Sequence, residues 1–333
     1  MAHPLARSLC KPVSGQVVTA GEHHYVLRGR IGNGAVGLVR RAEDRSSGRV
    51  VAIKFLAPDP KYIDVAAFDD VAERFRREGQ RGEHLNHAHL VSILGYEENK
   101  DGHCFRDRGV KNPFLVMQFV RGTTLERTIR NLGSGDAPGI YISRQTLSLG
   151  RAVADALVHL HERKLVHRDV KPANIFVSTP QAGVVPSEIK LGDFGVTKWG
   201  DFVAAAATGT LTMSSQRGLG TLKYMSPEQA LKPKDVTVRS DMFSLGITLF
   251  ELFTGAILAS PHHIFEIMTA RRMRSTITGK LLALGVRGTT SFEEDVFEKV
   301  LDLFLSAKER PASREMLGRF DYWLGRVSSE DAR

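Results

Sequence analysis

Apolar and polar positions begin to alternate at Tyr25. Tyr25-Val26-Leu27 and Arg30-Ile31 read as a strand that runs into Gly32-Asn33-Gly34-Ala35-Val36-Gly37, and Leu38-Val39 resumes it on the far side. Ser46-Ser47-Gly48 marks a turn, and Val50-Val51-Ala52-Ile53-Lys54-Phe55 forms a further strand with one lysine among apolar residues. The period then becomes helical: Val71, Phe75 and Leu85 recur among Arg and Glu, which predicts a helix over 65–85. Strand character returns over 91–96 and 113–119, separated by a charged insert, 97–112, that is longer than a plain hairpin needs. Helices are expected over 123–132 and 142–163. The second carries Leu147, Leu149, Val153, Leu157, Val158 and Leu160 on a broad apolar face. An apolar helix follows over 236–254, and weaker helical patterns continue to 326. Residues 1–24 mix Pro, Gly, Ser and His and read as a mobile arm, and 327–333 as a short polar tail. Strands crowd the first third and helices the rest, an α+β arrangement.

Between the helical patterns, 165–195 brings polar residues to two loops. Leu-Val-His-Arg-Asp-Val-Lys-Pro-Ala-Asn-Ile-Phe-Val delivers Asp169, Lys171 and Asn174, and Ile-Lys-Leu-Gly-Asp-Phe-Gly delivers Asp193. A carboxylate, an ammonium and an amide a few residues apart, with a second carboxylate downstream, suit phosphoryl transfer. That chemistry needs a group to orient a hydroxyl, a cation on the moving phosphate and oxygen ligands for magnesium. The glycine run alone fits an unliganded hairpin equally well, although strands on both sides set it apart from a dinucleotide-binding turn, whose glycines open a helix. Lys54 taken alone reads as an edge residue, unless a carboxylate such as Glu78 keeps it charged while partly buried.

Composition narrows the setting. The chain of 333 residues is 42% hydrophobic and 25% charged, as in globular proteins. It has no apolar run long enough to span a bilayer. Two cysteines, Cys10 and Cys104, fit a reducing cytoplasm better than a disulfide framework. The net charge of +9 is concentrated at Arg40-Arg41, around Arg74 and around Arg271, without the interleaved aromatic residues of a stacking platform, so no nucleic acid partner is expected. His23-His24 and His262-His263 lack companion ligands for a metal site.

The motifs taken together resemble a Hanks-type serine/threonine protein kinase, most similar to bacterial members. The glycine loop, Val51-Ala52-Ile53-Lys54, His167-Arg168-Asp169 through Asn174, Asp193-Phe194-Gly195 and Ser226-Pro227-Glu228 stand in that family's order. The resemblance implies a bilobal kinase domain over 25–326. It has a small β-rich N-lobe with one main helix, 25–119, and a larger, mostly helical C-lobe, 120–326. It implies ATP and magnesium, with manganese as substitute, and proteins with Ser or Thr acceptors as substrates. ATP would lie among Ile31, Gly32, Asn33, Gly34, Gly37, Val39, Ala52, Lys54, Met117, Gln118 and Val120. Met117 would be the gatekeeper, and Gln118 and Val120 would offer backbone groups to adenine. Lys54 would grip the phosphates and Glu78 would hold Lys54. Asn174 and Asp193 would bind the metal, Asp169 would orient the acceptor, and Lys171 would lie near the γ-phosphate. Thr221 would contact Asp169 and Lys171. Asp241 would brace the His-Arg-Asp backbone, and Glu228 and Arg310 would form a buried ion pair.

Regulation follows from the same resemblance. The segment after Asp193 matches an activation loop, with Arg168 and Lys198 as a basic pocket for autophosphorylated Thr208, Thr210, Thr212 or Ser214. Gly82 stands where the family places an apolar residue, so the helix carrying Glu78 is expected to be loosely held. Activity would then depend on loop phosphorylation, an activating partner or a homodimer. Many bacterial members continue into a membrane span and a sensor domain. This chain stops before one, so its input is expected from a partner, the arm or the insert. A nucleotide-binding pseudokinase scaffold is the alternative reading, and a small-molecule kinase comes third.

Overall fold

A computed structural model describes residues 14–33, 37–57, 65–98, 113–132, 142–178, 188–193, 223–231, 235–255, 279 and 290–327, which fall into two compact units. One holds the described residues up to His87 together with Val91–Phe119. The other holds Ala88–Leu90, Val120–Asp193 and the described residues beyond.

The first unit is built on a six-stranded antiparallel sheet. Its strands are β1 (Val17–Ala20), β2 (His23–Asn33), β3 (Gly37–Asp44), β4 (Val50–Leu56), β5 (Ile93–Glu97) and β6 (Phe114–Gln118), in the spatial order β1-β2-β3-β4-β6-β5. One face buries Leu27, Ala42, Val51, Ile53, Phe55, Phe114 and Val116 as a single core. Gly37 is required by packing, because a Cβ there would stand 2.2 Å from the Phe55 carbonyl oxygen across the ladder. The expectation of a mobile arm through residue 24 is corrected over 14–24. Val17 to Ala20 pair with Val26 to His23 in full register, and Val18 is 2% exposed in the common core. The hairpin closes through Gly21 and Glu22, and Gly21 takes the left-handed φ of 57° that glycine adopts without a steric penalty.

Helix α1 (Val65–Gly82) packs on β5, with Phe75 fully buried. Its glycines let it approach closely. A Cβ on Gly79 would meet Leu115 Cδ2 at 2.7 Å and Tyr96 Cβ at 2.8 Å, and one on Gly82 would meet Ile93 Cδ1 at 2.1 Å. The volume thought to be missing at Gly82 is therefore filled by Ile93 reaching across from β5, which removes the reason for expecting a loose helix.

The second unit carries a small sheet of β7 (Gly122–Thr124), β8 (Ile175–Ser178) and β9 (Ile189–Leu191). The helix expected over 123–132 is α2 (Leu125–Leu132). Its first residues are instead recruited into β7 by pairing with β8. Helix α3 (Arg144–Glu162) starts at Ser143, whose hydroxyl accepts the Thr146 N–H while the Thr146 hydroxyl accepts that of Ser143. After the short helix α4 (Pro227–Leu231) comes α5 (Val238–Thr254), buried from Ser240 to Thr254 and ended by Gly255 at φ 65°. Helices α6 (Ser291–Leu301) and α7 (Ser313–Arg326) follow. Phe320 of α7 sits against α3 where a Cβ on Gly150 would come within 2.5 Å of it. The Arg310 guanidinium grips both oxygens of Glu228, one at 3.0 Å, as the resemblance implied.

Candidate active site

Each unit gathers its own set of polar groups. In the first, the buried Lys54 ammonium on β4 lies 3.1 Å from Glu78 Oε1 on α1, with side-chain exposures of 10% and 1%. The Phe75 ring, one helical turn before Glu78, stands 5.8 Å below the same ammonium. A lysine in an apolar strand stays charged when the helix packed on it supplies a carboxylate. Of the other nucleotide-contact candidates, Ile31 is exposed at 48%, Val39 is half-buried and pairs with Lys54 across the ladder, and Ala52 is buried two residues before Lys54 on β4. Gly32 and Asn33 close β2, and Gly37 opens β3. Met117 and Gln118 end β6, and Gln118 donates its backbone N–H to Ser92 at 2.9 Å, so that donor is already engaged. Gly34 lies outside the described residues.

The second unit assembles the loop between α3 and β8. The Asp169 carboxylate receives Lys171 Nζ at 3.0 Å on Oδ1 and Asn174 Nδ2 at 2.7 Å on Oδ2. Asn174 Nδ2 also donates to the Asp169 carbonyl at 2.8 Å. All three residues are buried. Pro172 opens the 3-10 turn Pro172–Asn174, which folds the amide back onto the carboxylate. With its nitrogen engaged twice, Asn174 keeps Oδ1 as its acceptor atom. Asp193 follows Gly192, whose N–H donates to the Asn174 carbonyl at 2.9 Å, so the two oxygen donors are tied through the backbone. Asp193 and Arg168 both hold left-handed φ values, 61° and 67°. Non-glycine residues in that region mark places where the surroundings dictate the conformation.

Those surroundings can be named. Buried Asp241 accepts the backbone N–H of His167 at 2.8 Å and of Arg168 at 2.7 Å, and His161 Nε2 lies 2.9 Å from it. Gln229 Nε2 donates to the Arg168 carbonyl at 3.1 Å. His167 Nδ1 accepts the Asp169 N–H at 3.3 Å, and burial pushes this imidazole below its ordinary pKa against the pull of Asp241, Asp169 and Asp193.

The sequence did not announce Lys190, Lys223 or Glu251. Lys190 is buried on β9 and donates to the carbonyls of Ala88 at 2.9 Å and Leu90 at 3.2 Å, which fastens 88–90 to the second unit. Burial lowers its pKa. Glu251 holds Lys223 at 2.8 Å and the Tyr224 hydroxyl at 2.6 Å, and the phenol is pushed far above its ordinary range, first by burial and then by that carboxylate. A lysine inside an apolar run was the available signal for Lys190, but its carbonyl partners have no sequence signature. Thr221, Lys198, Thr208, Thr210, Thr212 and Ser214 lie outside the described residues. The Asn174 amide oxygen and the Asp193 carboxylate are hard donors of the kind magnesium takes alongside substrate phosphates and water, so the residues present fit that ion. Among the described residues no helix is long and apolar enough to cross a membrane.

Comparisons with known proteins agree with this chemistry. The protein kinase domain family matches residues 25–315. Serine/threonine-protein kinase PrkC of Bacillus subtilis is 34% identical over 233 residues, 70% of this chain and 31% of that protein. A probable serine/threonine-protein kinase PknB of Bifidobacterium longum is 33% identical over 253 residues, 74% of this chain and 33% of that protein. The chain thus spans about a third of the length of these curated relatives. Among solved structures, the kinase domain of Mycobacterium tuberculosis PknI superposes with a TM-score of 0.62 at 23% identity, covering 95% of this chain and all of that one, which establishes the fold. With a family match over most of its length, a shared fold and an Asp-Lys-Asn loop in the family's order, the chain belongs to the protein kinase domain family.

Proposed function

We propose that the chain is a serine/threonine protein kinase that moves the γ-phosphoryl group of ATP to protein hydroxyls. The observation that carries the reading is the Asp169 carboxylate, buried and clasped by Lys171 on one oxygen and Asn174 on the other. In the reaction the acceptor oxygen attacks the γ-phosphorus, the bond to the β–γ bridging oxygen breaks, ADP departs, and Asp169 orients the hydroxyl and takes its proton. Lys171 balances charge near the γ-phosphoryl oxygens. Lys54, held by Glu78, binds the α- and β-phosphates, and Thr221 steadies Asp169 and Lys171. Asn174 and Asp193 would hold magnesium, or manganese in its place, which would supply charge neutralisation on the phosphates. Adenine takes its backbone donor from Val120, because the Gln118 N–H is engaged by Ser92. The relatives, named as serine/threonine-protein kinases, support Ser or Thr as acceptor. Autophosphorylation within 197–221, read by Arg168 and Lys198, a cytoplasmic setting, and activation by a partner or a second copy belong to the same reading.

The test is transfer of labelled phosphate to a generic basic protein. Asp169→Asn is expected to slow transfer by about 10²- to 10⁴-fold, and Asp193→Ala to abolish it. Wild-type signal no higher than the Asp193→Ala background would defeat the reading and favour a scaffold.

A further inference from the structure

The first strand of the chain bears on the Lys54–Glu78 pair through two adjacent residues of β5. β1 and β5 are the opposite edges of the sheet, yet they come into contact, and the Gly21 N–H in the β1–β2 turn donates to Glu97 Oε1 at 3.0 Å. The neighbour of Glu97, Tyr96, meets α1 in three ways. Its N–H donates to Glu83 Oε1 at 2.7 Å just beyond the helix, its ring lies 6.4 Å from that of Phe75, and its Cβ occupies the space beside Gly79. Successive strand residues point to opposite sides, so Tyr96 faces the helix while Glu97 is left for the turn. Gly79 adjoins Glu78, so a shift of Tyr96 is transmitted directly to the residue that holds Lys54.

We propose that β1 is a positioning element for Glu78 and that Glu97 is the positioning residue through which it acts. Folded onto β2 by the burial of Val18, β1 places its turn against the end of β5 and fixes the edge on which α1 rests. The N-terminal segment then sets how firmly the Lys54–Glu78 pair is held, a consequence for catalysis that rests on the kinase reading.

The test compares Glu97→Leu with Glu97→Gln in the full chain. Glu97 is partly exposed, so both variants should fold. Gln keeps an oxygen to accept the Gly21 N–H, and Leu does not. Amide exchange over 73–82 is expected to be roughly threefold faster in Glu97→Leu and close to wild type in Glu97→Gln, as for loss of one exposed hydrogen bond. The kcat should fall by a similar factor in Glu97→Leu while KM for the protein acceptor stays fixed. Adding Val18→Ser, which loosens β1 itself, should make Glu97→Leu nearly silent. Unchanged exchange over 73–82, an equal rise across both units, a Gln variant that behaves as Leu, or strictly additive Val18 and Glu97 effects would each overturn the proposal. A wild-type chain without phosphotransfer would defeat the kinase reading, while the exchange measurement would still decide the role of β1.

Discussion

Replacing Gly79 by alanine separates close helix packing from helix propensity. On propensity alone, alanine in a helix interior is better than glycine by roughly 1 kcal/mol. The structure opposes that gain, because the new Cβ would come within 3.0 Å of three heavy atoms, Leu115 Cδ2 at 2.7 Å, Tyr96 Cβ at 2.8 Å and Tyr96 Cδ2 at 2.9 Å. The leucine methyl can swing aside. Tyr96 Cβ is one bond from the β5 backbone, and its residue is held by Glu83 and Phe75, so relief requires α1 to lift from the sheet. Overpacking of this kind costs about 1–3 kcal/mol, leaving a net loss of up to about 2 kcal/mol once propensity is credited. Gly82→Ala should lose less, because its closest contact at 2.1 Å is the terminal methyl of Ile93. Gly318→Ala on α7 has nothing within 4 Å of its Cβ and should gain up to about 1 kcal/mol. Urea unfolding of the three variants, with ATP-analogue affinity measured alongside, gives the order Gly318→Ala above wild type, then Gly82→Ala, then Gly79→Ala. A Gly79→Ala protein as stable as the Gly318→Ala protein would refute the packing argument.

Three further outcomes follow from buried groups. Asp241→Ala should lower stability by roughly 2 kcal/mol or more and abolish phosphotransfer, because it strands the buried His167 N–H and the part-buried Arg168 N–H, which cost about 1–3 kcal/mol each. Thermal unfolding within 1 °C or so of wild type would contradict it. Glu228→Gln leaves the buried Arg310 charge without its carboxylate, with only carbonyls such as those of Leu305 and Arg239 beside it, and should cost about 3–5 kcal/mol, whereas Glu228→Met with Arg310→Met should recover most of that in denaturant titrations. His167 has its pKa lowered by burial, so the folded chain binds fewer protons there than the unfolded chain. The stability this residue contributes is present above the unfolded value of about 6.5 and is lost as pH falls below it, so His167→Gln should show a shallower loss of unfolding temperature from about pH 7.5 to about pH 5. An unchanged slope would place that pH dependence elsewhere.

The readable parts of the chain are those whose partners are close in sequence. Asp169, Lys171 and Asn174 are joined by a single turn, so their spacing carries the geometry, and the Glu228–Arg310 pair was accessible only because a family resemblance supplied its long-range partner. β1 escaped notice because four residues have no periodicity to display, and their identity as a strand comes from pairing with His23 to Val26. β7 was absorbed into a helix for the same reason, since Gly122 to Thr124 become a strand only against β8. Gly82 misled in the other direction. An empty position in the sequence is a filled one in space when Ile93 arrives from another element, and no property of α1 foretells that.

The two sets of polar groups are supported to different degrees, and the difference bears on control. A left-handed φ at a non-glycine residue costs about 1–2 kcal/mol, and among the described residues of the second unit three hold one: Lys164 and, within the polar loops, Arg168 and Asp193. Asp241 and Gln229 fix both ends of Arg168, and the Asn174 carbonyl holds the N–H just before Asp193, so hydrogen bonds from three separate elements offset the strain. Such a loop has little freedom to adjust. The Lys54–Glu78 pair joins β4 to α1 with the Phe75 ring beside the ammonium, and its helix is seated by the side chains of Tyr96, Ile93 and Leu115 against two glycines. A signal worth about 1.4 kcal/mol changes either two-state ratio tenfold, but at 165–193 it has to break hydrogen bonds from several elements, whereas at α1 it acts on side-chain packing beside Glu78. Conditions or partners that alter activity without touching 165–195 should therefore register first as altered exchange in α1.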